Sequence, residues 1–393
     1  LSVPRAPSAG RLDNLFAVAA HSRPGDALRI RRIVQPPLGR ATRSVTTAST
    51  PRGDIRDASA DPFRERSGCR RALSRQILGA RFRFESASEA LLQQVEAAYG
   101  GLPPHQLPTA VPEFRVELRL SPPRLSPGGG EPPPVQTQAG AGWICGVMDA
   151  SNYVMLAPAQ QRALVVASAD MLERPYHLRY ELIEFAVFTL ATRGQGLVPL
   201  HGACVGRRGR GVLLLGASGS GKSTLALLAL LQGLDFLAED AVFVQPHAML
   251  ATGVANYLHV QADALRFVDA AGARRWIGEA PVIRRRSGME KFEADLRRGP
   301  GRLAAAPLEL VGAVLVSARP ADDSAALLSA VRAADVATRL SADQPYASGQ
   351  PGWPCFARRM MAMGVHELRR GKHPRDGVAA LRELLGDGCS RPG

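Results

Sequence analysis

The sequence predicts an α/β protein, and three observations carry that expectation. Strand-like alternation and helical spacing interleave after about residue 76. An apolar strand, a glycine-rich turn and an apolar helix follow one another directly over residues 211–233. Further short apolar runs of the buried-strand kind come after them. The organisation expected is a leader over residues 1–75, a small α+β module over 76–195 and the main α/β core over 196–393.

The 393 residues are ample for a buried core, and 46% apolar with 21% charged residues is a globular composition. Aromatics make up only 5%, so Leu, Val and Ala must fill most of the interior. A formal charge of +14 invites a nucleic-acid or anionic-membrane partner. Its distribution argues against one: residues 1–75 hold fifteen Arg against six acids, which leaves only a modest excess for the rest. That leader is rich in Pro, Ser, Thr, Gly and Arg and has no sustained period. It also lacks the apolar run of a secretory peptide, so it is expected to be disordered. Cys69, Cys145, Cys204, Cys355 and Cys389 are odd in number and scattered, without CxxC spacing, which points to a reducing compartment and no zinc site. The long uncharged stretch over 241–261 contains Gln245, Pro246, His247 and Asn256, so no membrane span is expected and the expected location is the cytoplasm.

In the smaller module, RFRFES (81–86) alternates like a strand, and 88–99 reads as a helix ended by Gly100 and Gly101. FRVELRLS (114–121) is a second strand. A Pro/Gly-rich break over 121–142 precedes three more, at 143–149, 153–158 and 162–168. Residues 176–193 place Leu178, Leu182, Phe185 and Leu190 near one helical face and stop at Gly194 and Gly196, which sets the boundary near residue 195.

The core opens with GVLLLG (211–216), a short buried strand. GASGSGKST follows, comprising Gly216, Ala217, Ser218, Gly219, Ser220, Gly221, Lys222, Ser223 and Thr224, and then an apolar helix over 225–232 closed by Gly233. This is the G-x-x-x-x-G-K-[ST] pattern of a phosphate-binding loop. Glycines let successive backbone N–H groups turn onto phosphate oxygens, and the helix N-terminus adds partial positive charge. The Lys reaches the terminal phosphates while the Ser hydroxyl ligates Mg²⁺. Only three of the 49 basic residues are Lys, so a chance match that includes Lys222 is improbable. ATP and Mg²⁺ are the expected ligands.

Downstream, FLAEDAVFV (236–244) is expected to be one strand that embeds Glu239 and Asp240 among apolar residues. On a regular strand such neighbours face opposite sides, and burying a lone carboxylate costs on the order of several kcal/mol. An acid on the strand after such a loop often sits beside the phosphates, where one carboxylate can hold Mg²⁺ and another can orient or deprotonate the attacking group. A solvated or Arg-paired acid pair at a strand end is the plainer alternative. His201, fifteen residues before Gly216, is on its own as easily a core histidine as a site residue.

Residues 201–240, HGACVGRRGRGVLLLGASGSGKSTLALLALLQGLDFLAED, resemble the catalytic domain of HPr kinase/phosphorylase, a bacterial ATP-dependent protein serine kinase, and its HPr-kinase-like relatives. The likeness runs through His201, Gly202, the 216–223 loop, Gly233 and the acid pair without an insertion. It implies a P-loop fold of the HPr kinase/phosphoenolpyruvate carboxykinase kind and transfer of the ATP γ-phosphoryl group to a serine hydroxyl. Lys222 and the loop amides would hold phosphates, Ser223 and Asp240 would hold Mg²⁺, Asp240 with Glu239 would supply the base, and His201 would support them. The family's acid pair is usually two Asp, where this chain has Glu239 first. Nothing matches the family's downstream LE-x-RG-x-G signature, so the acceptor implied is a protein or peptide other than HPr.

The alternatives are an ATP-binding or ATPase regulatory module without transfer, or a kinase of a small hydroxylated molecule. No LSGGQ-like transporter signature follows the loop, and the NKxD of GTPases is absent. Neither a membrane nor a nucleic acid is an expected partner, and a homo-oligomer stays open. Arg284, Arg285, Arg286 and Lys291, followed by Arg297 and Arg298, are expected either as a mobile basic loop that closes on phosphates or an acidic acceptor, or as a solvated charge run. Residues 373–386 read as a closing helix with Pro374 near its start, Gly386 near its end and Leu381, Leu384 and Leu385 inward; His366 and His373 are expected to be structural or exposed.

Overall fold

The computed structural model describes residues 70–108, 113–123, 130–321 and 327–386, arranged as a mixed α/β fold. The expected leader lies outside the described residues as far as position 69, but its end needs correction, because its last five residues belong to β1 (Arg71–Ile77). This strand pairs along its whole length with β2 (Ala80–Ser86), through a tight turn in which Leu78 (φ 51°) and Gly79 (φ 84°) both adopt the left-handed backbone that two-residue hairpins require. RALSRQI hides the strand because it is an edge strand whose residues are mostly part-exposed, so no clean alternation marks it.

β1 and β2 join β3 (Phe114–Ser121), β4 (Gln136–Gly140), β5 (Trp143–Asp149), β6 (Asn152–Ala157) and β7 (Arg162–Ser168) in a sheet ordered β1-β2-β3-β7-β6-β5-β4. The expected strands recur with small shifts of their ends. Helix α1 (Glu89–Tyr99) is capped by Ser88, whose side chain accepts from the Leu91 N–H, and it buries Leu91, Val95, Ala98 and Tyr99, one face at 3.6-residue spacing.

The expected helix over 176–193 is one helical run with a π-turn inside it: Pro175–His177, the π segment Leu178–Ile183, then α2 (Glu184–Gln195), ended by left-handed Gly196. The single apolar face read from sequence is corrected, since every residue from His177 to Thr192 is buried. Both sides are covered. The first sheet packs on one, and Phe243 of the second sheet meets Phe188 edge-on at 4.9 Å on the other.

Among the described residues the second sheet has ten strands. Its strands are β8 (Val198–His201), β9 (Ala203–Arg207), β10 (Arg210–Leu215), β11 (Asp235–Ala238), β12 (Ala241–Gln245) and β13 (Leu250–Gly253). Next along the chain, β14 (Tyr257–Val260), β15 (Val282–Arg284) and β16 (Glu290–Asp295) form a separate small sheet ordered β14-β16-β15. The large sheet resumes with β17 (Arg302–Leu303), β18 (Leu308–Pro320), β19 (Leu328–Ala330) and β20 (Val365–Arg370). Its main path is β17-β11-β9-β10-β18-β13-β12-β8, with β20 beside β18 and β19 beside β20. β10 runs parallel to β18, as its continuous apolar run suggests, but antiparallel to β9. Helix α3 (Lys222–Leu231) packs on this sheet, with α4 (Ala333–Asp343) and α5 (Pro374–Leu384) nearby. Among the described residues Cys145, Cys204 and Cys355 are unbridged, and no helix is long and apolar enough to cross a membrane.

Candidate active site

The glycine-rich loop leaves the C-terminal end of β10 and enters α3. Three glycines make this path possible: Gly216 (φ 128°), Gly219 (φ 80°) and Gly221 (φ 105°) all lie in the left-handed region. At Gly216 there is also no room for a side chain, because a Cβ would stand 2.6 Å from the Val316 carbonyl oxygen. Gly221 is the N-cap, so the helix starts at Lys222, three residues earlier than the sequence suggested, and no side chain caps it. Its N-terminal amides therefore open toward a cavity of about 260 Å³. Ser218 to Thr224, His201, Glu239 and Asp240 all line that cavity, so the structure brings these expected residues together; Gly216 and Ala217 form the base of the loop behind it. Lys222 Nζ donates to the carbonyls of Gly216 (2.5 Å) and Ala217 (3.1 Å), folded along its own loop.

The single strand expected over 236–244 is corrected. The chain breaks at Glu239 and Asp240, so that β11 ends at Ala238, β12 begins at Ala241, and Asp240 takes φ 75°. A left-handed non-glycine residue is a local strain that Asp tolerates better than most. Its effect is to cancel the strand alternation. Both carboxylates line the same cavity instead of facing opposite sides.

The two acids have different partners. Glu239 Oε1 accepts from Ser223 Oγ at 2.5 Å, while its Oε2 is buried with no hydrogen-bond partner. Asp240, expected with Ser223 as a Mg²⁺ ligand, has other partners than Ser223: its Oδ2 accepts from Arg285 Nη2 at 3.2 Å, and its Oδ1 lies 3.2 Å from His201 Nδ1. Antiparallel pairing of β8 with β12 sets His201 opposite Ala241, which explains how a residue 39 positions upstream comes to flank Asp240. Gln344 brackets His201, accepting from its N–H (2.7 Å) and donating to its carbonyl (2.9 Å); Asp343 accepts from the Gly216 N–H (3.1 Å). The end of α4 thus fastens the ends of both β8 and β10.

The small sheet forms the facing wall. β14 and β16 pair His259 with Glu293, and the β15–β16 hairpin carries Arg285 and Lys291. Arg285 Nη2 also lies 3.1 Å from His259 Nδ1, and the His259 ring stands 3.8 Å from both Glu239 Oε2 and Glu293 Oε1. Glu293 in turn accepts from Arg179 Nη2 (2.8 and 3.0 Å) and from Tyr180 Oη, two residues of the π segment. Burial pushes the Glu293 carboxyl up, but His259, Arg179 and Tyr180 outweigh it and hold it at about 2. Burial likewise opposes the charge on Arg285, yet Asp240 and Glu239 more than compensate and raise its pKa. A buried polar chain therefore runs from the π segment to the acid pair.

The basic cluster, expected either as a mobile loop or as a solvated charge run, is divided among separate partners. Arg285 serves the cavity. Arg286 reaches the other way, to Glu181 and the carbonyls of Pro132 and Pro133, and Arg297 pairs with Asp295 and caps the carbonyls of Ala97 and Gly100 at the end of α1. Arg284 and Arg298 are exposed. His373, expected to be structural or exposed, caps α5 in a capping box with Asp376 and also lines the cavity.

Sequence reasoning missed Arg179, Tyr180, His259, Glu293, Asp343 and Gln344. One of them carried a legible signal, since His259 is a polar residue inside apolar strand text (YLHV). No protein-family model matches the chain, and no curated protein matches it.

Proposed function

We propose that the protein is an ATP-dependent phosphotransferase of the HPr-kinase-like type, with a P-loop at 216–224, that transfers the γ-phosphoryl group to a serine hydroxyl of a protein or peptide. The observation that carries the reading is the convergence of that loop, an uncapped helix N-terminus and two buried carboxylates on one cavity. A helix N-terminus with glycine-enabled backbone donors suits phosphate, and carboxylates there repel it unless a cation intervenes or a proton is to be removed.

The residues fit Mg²⁺. Ser223 Oγ and Glu239 supply adjacent oxygen donors, and Glu239 Oε2 is buried without a hydrogen-bond partner, the His259 ring standing 3.8 Å away. Mg²⁺ commonly takes one or two protein oxygens and completes its shell with water and phosphate; among the described residues no group of three or more His, Cys, Asp or Glu is arranged as a metal site. When bound, the ion would neutralise charge on the phosphates. Loop amides and Lys222 would orient the nucleotide, with Lys222 turning from the Gly216 and Ala217 carbonyls to the phosphates. Asp240, beside His201 and not engaged by Ser223, is the better placed acid to take the acceptor's hydroxyl proton.

The test is incubation of the full chain with γ-labelled ATP, Mg²⁺ and a lysate of the source organism, followed by identification of the labelled species. Label on a serine of a protein or peptide is the expected result. Free phosphate as the only product favours an ATPase regulatory module, and no binding of Mg·ATP at millimolar concentration overturns the reading.

A further inference from the structure

Six described Lys and Arg residues line the cavity, and three of them form one electrostatic group with the acid pair: Lys222, Arg285 and Lys291. Two of them are engaged, Lys222 with carbonyls of its own loop and Arg285 with Asp240 and His259. Lys291 differs. It makes no hydrogen bond, and no ion pair within 4 Å, among the described residues. It is held on β16 opposite Ile283 and two residues before Glu293, whose anchoring by Arg179 and Tyr180 fixes the strand. The ammonium is thus presented to the cavity by a rigid strand.

Burial, helped by Arg285, draws the Lys291 pKa below that of an ordinary lysine, against the pull of Glu239 and Asp240. Arg285 Nε is also buried without a hydrogen-bond partner. Arg285 Nε is thus a buried donor on the wall facing the loop that an anion would complete, and the Lys291 ammonium adds its charge to the same wall.

We propose that Lys291 is a catalytic residue that contacts the phosphoryl group in transit, from the wall facing the loop. The inference rests on the kinase reading above and deepens it. In the step, the bond from the γ-phosphorus to the β–γ bridging oxygen breaks, and its electron pair leaves with ADP. A bond forms from the γ-phosphorus to the acceptor oxygen, and the hydroxyl proton passes to Asp240. Charge on the equatorial oxygens of the moving group is what Lys291 meets, while Lys222 stays with the part that remains on ADP. Contact of this kind is stronger in the transition state than in either bound nucleotide.

The experiment compares the affinity of the full chain for Mg·ADP with that for Mg·ADP plus aluminium fluoride, which imitates the phosphoryl group in transit. The native chain is expected to bind more tightly when fluoride is added. In Lys291→Met, affinity for Mg·ADP alone should stay within about twofold, while the tightening by fluoride should fall by about a hundredfold, the usual effect of removing one transition-state donor. Lys291→Arg keeps the charge and the stem and should retain most of the tightening. An undiminished tightening in Lys291→Met overturns the inference and leaves the nucleotide reading standing. Equal loss in Lys291→Arg and Lys291→Met also overturns it, by showing a packing effect. Failure of the native chain to bind Mg·ADP overturns both.

Discussion

Arg285 donates to Asp240 across 3.2 Å, joining two buried residues 45 positions apart in the chain. The contact spans the cavity from the small sheet to the break between β11 and β12, so the acid that flanks His201 is held by a group from the opposite wall. Each partner offsets the desolvation of the other.

Asp240→Asn separates chemistry from binding. Asn tolerates the left-handed backbone that Asp240 adopts at φ 75°, so the turn should survive while the proposed proton acceptor is lost. Phosphoryl transfer is expected to drop by about a hundredfold or more, with Mg·ATP affinity changed by only a fewfold. Label transfer and calorimetric titration of the same preparation check both halves.

Lys222→Ala removes the side chain proposed to reach the nucleotide phosphates. Nucleotide binding should be lost and transfer with it, while far-ultraviolet circular dichroism stays unchanged, because the helix continues from Ser223 on its apolar face. Retained tight binding of Mg·ATP would count against the loop assignment.

At Gly216 the backbone leaves no alternative residue. Gly216→Ala combines a strained φ of 128° with a Cβ 2.6 Å from the Val316 carbonyl, so a loss of about 1–3 kcal/mol in unfolding free energy is expected together with loss of nucleotide binding. Gly219→Ala meets no atom within 4 Å and should cost less. Urea titration of the two variants ranks them.

Stability should weaken on mild acidification through His105. This residue of the first module lies between Thr252 Oγ1 (2.8 Å) and the Ala304 carbonyl (2.9 Å), and burial lowers its pKa from the ordinary 6.5. The unfolded chain therefore binds the proton more readily, and the contribution is full above pH 6.5 and lost as pH falls below it. Glu293, held at about 2 against an ordinary 4.5, acts only further down, its contribution disappearing as pH falls from above 4.5 toward 2. A lower urea midpoint at pH 5.5 than at pH 7.5, and a flatter profile in His105→Gln, are the expected results.

The Arg179–Glu293 pair predicts that the π segment matters to the cavity. Arg179→Met leaves a buried carboxylate with Tyr180 and His259 alone, at a cost of about 3–5 kcal/mol. Nucleotide affinity should fall in the same variant if the wall carrying Arg285 and Lys291 loosens, and calorimetry reads it directly.

Much of the local structure was legible in the residues. Ser88 before an apolar period marks α1, GVLLLG marks β10, and GASGSGKST marks a turn that only glycines can make. Each of these depends on a few neighbouring residues. β1 was not legible, because its pairing with β2 comes from an edge strand without a pattern. The break at Asp240 was not legible either, since FLAEDAVFV has the composition of an unbroken strand.

What the sequence by itself determined is the strand–loop–helix order, the place of Lys222 and Ser223 within it and the presence of two acids soon after. Tertiary structure decided how those acids divide. The left-handed turn at Asp240 sends both inward, Ser223 engages Glu239, and Arg285 with His201 engages Asp240. It also gathered His259, Glu293 and Lys291 from a separate small sheet and tied Glu293 to Arg179 and Tyr180 of the π segment. The physical reason is range. Helix caps and glycine turns are set by dihedrals and hydrogen bonds within a few residues, whereas a buried carboxylate is stabilised by whichever cation or donor the packing of distant strands delivers to it.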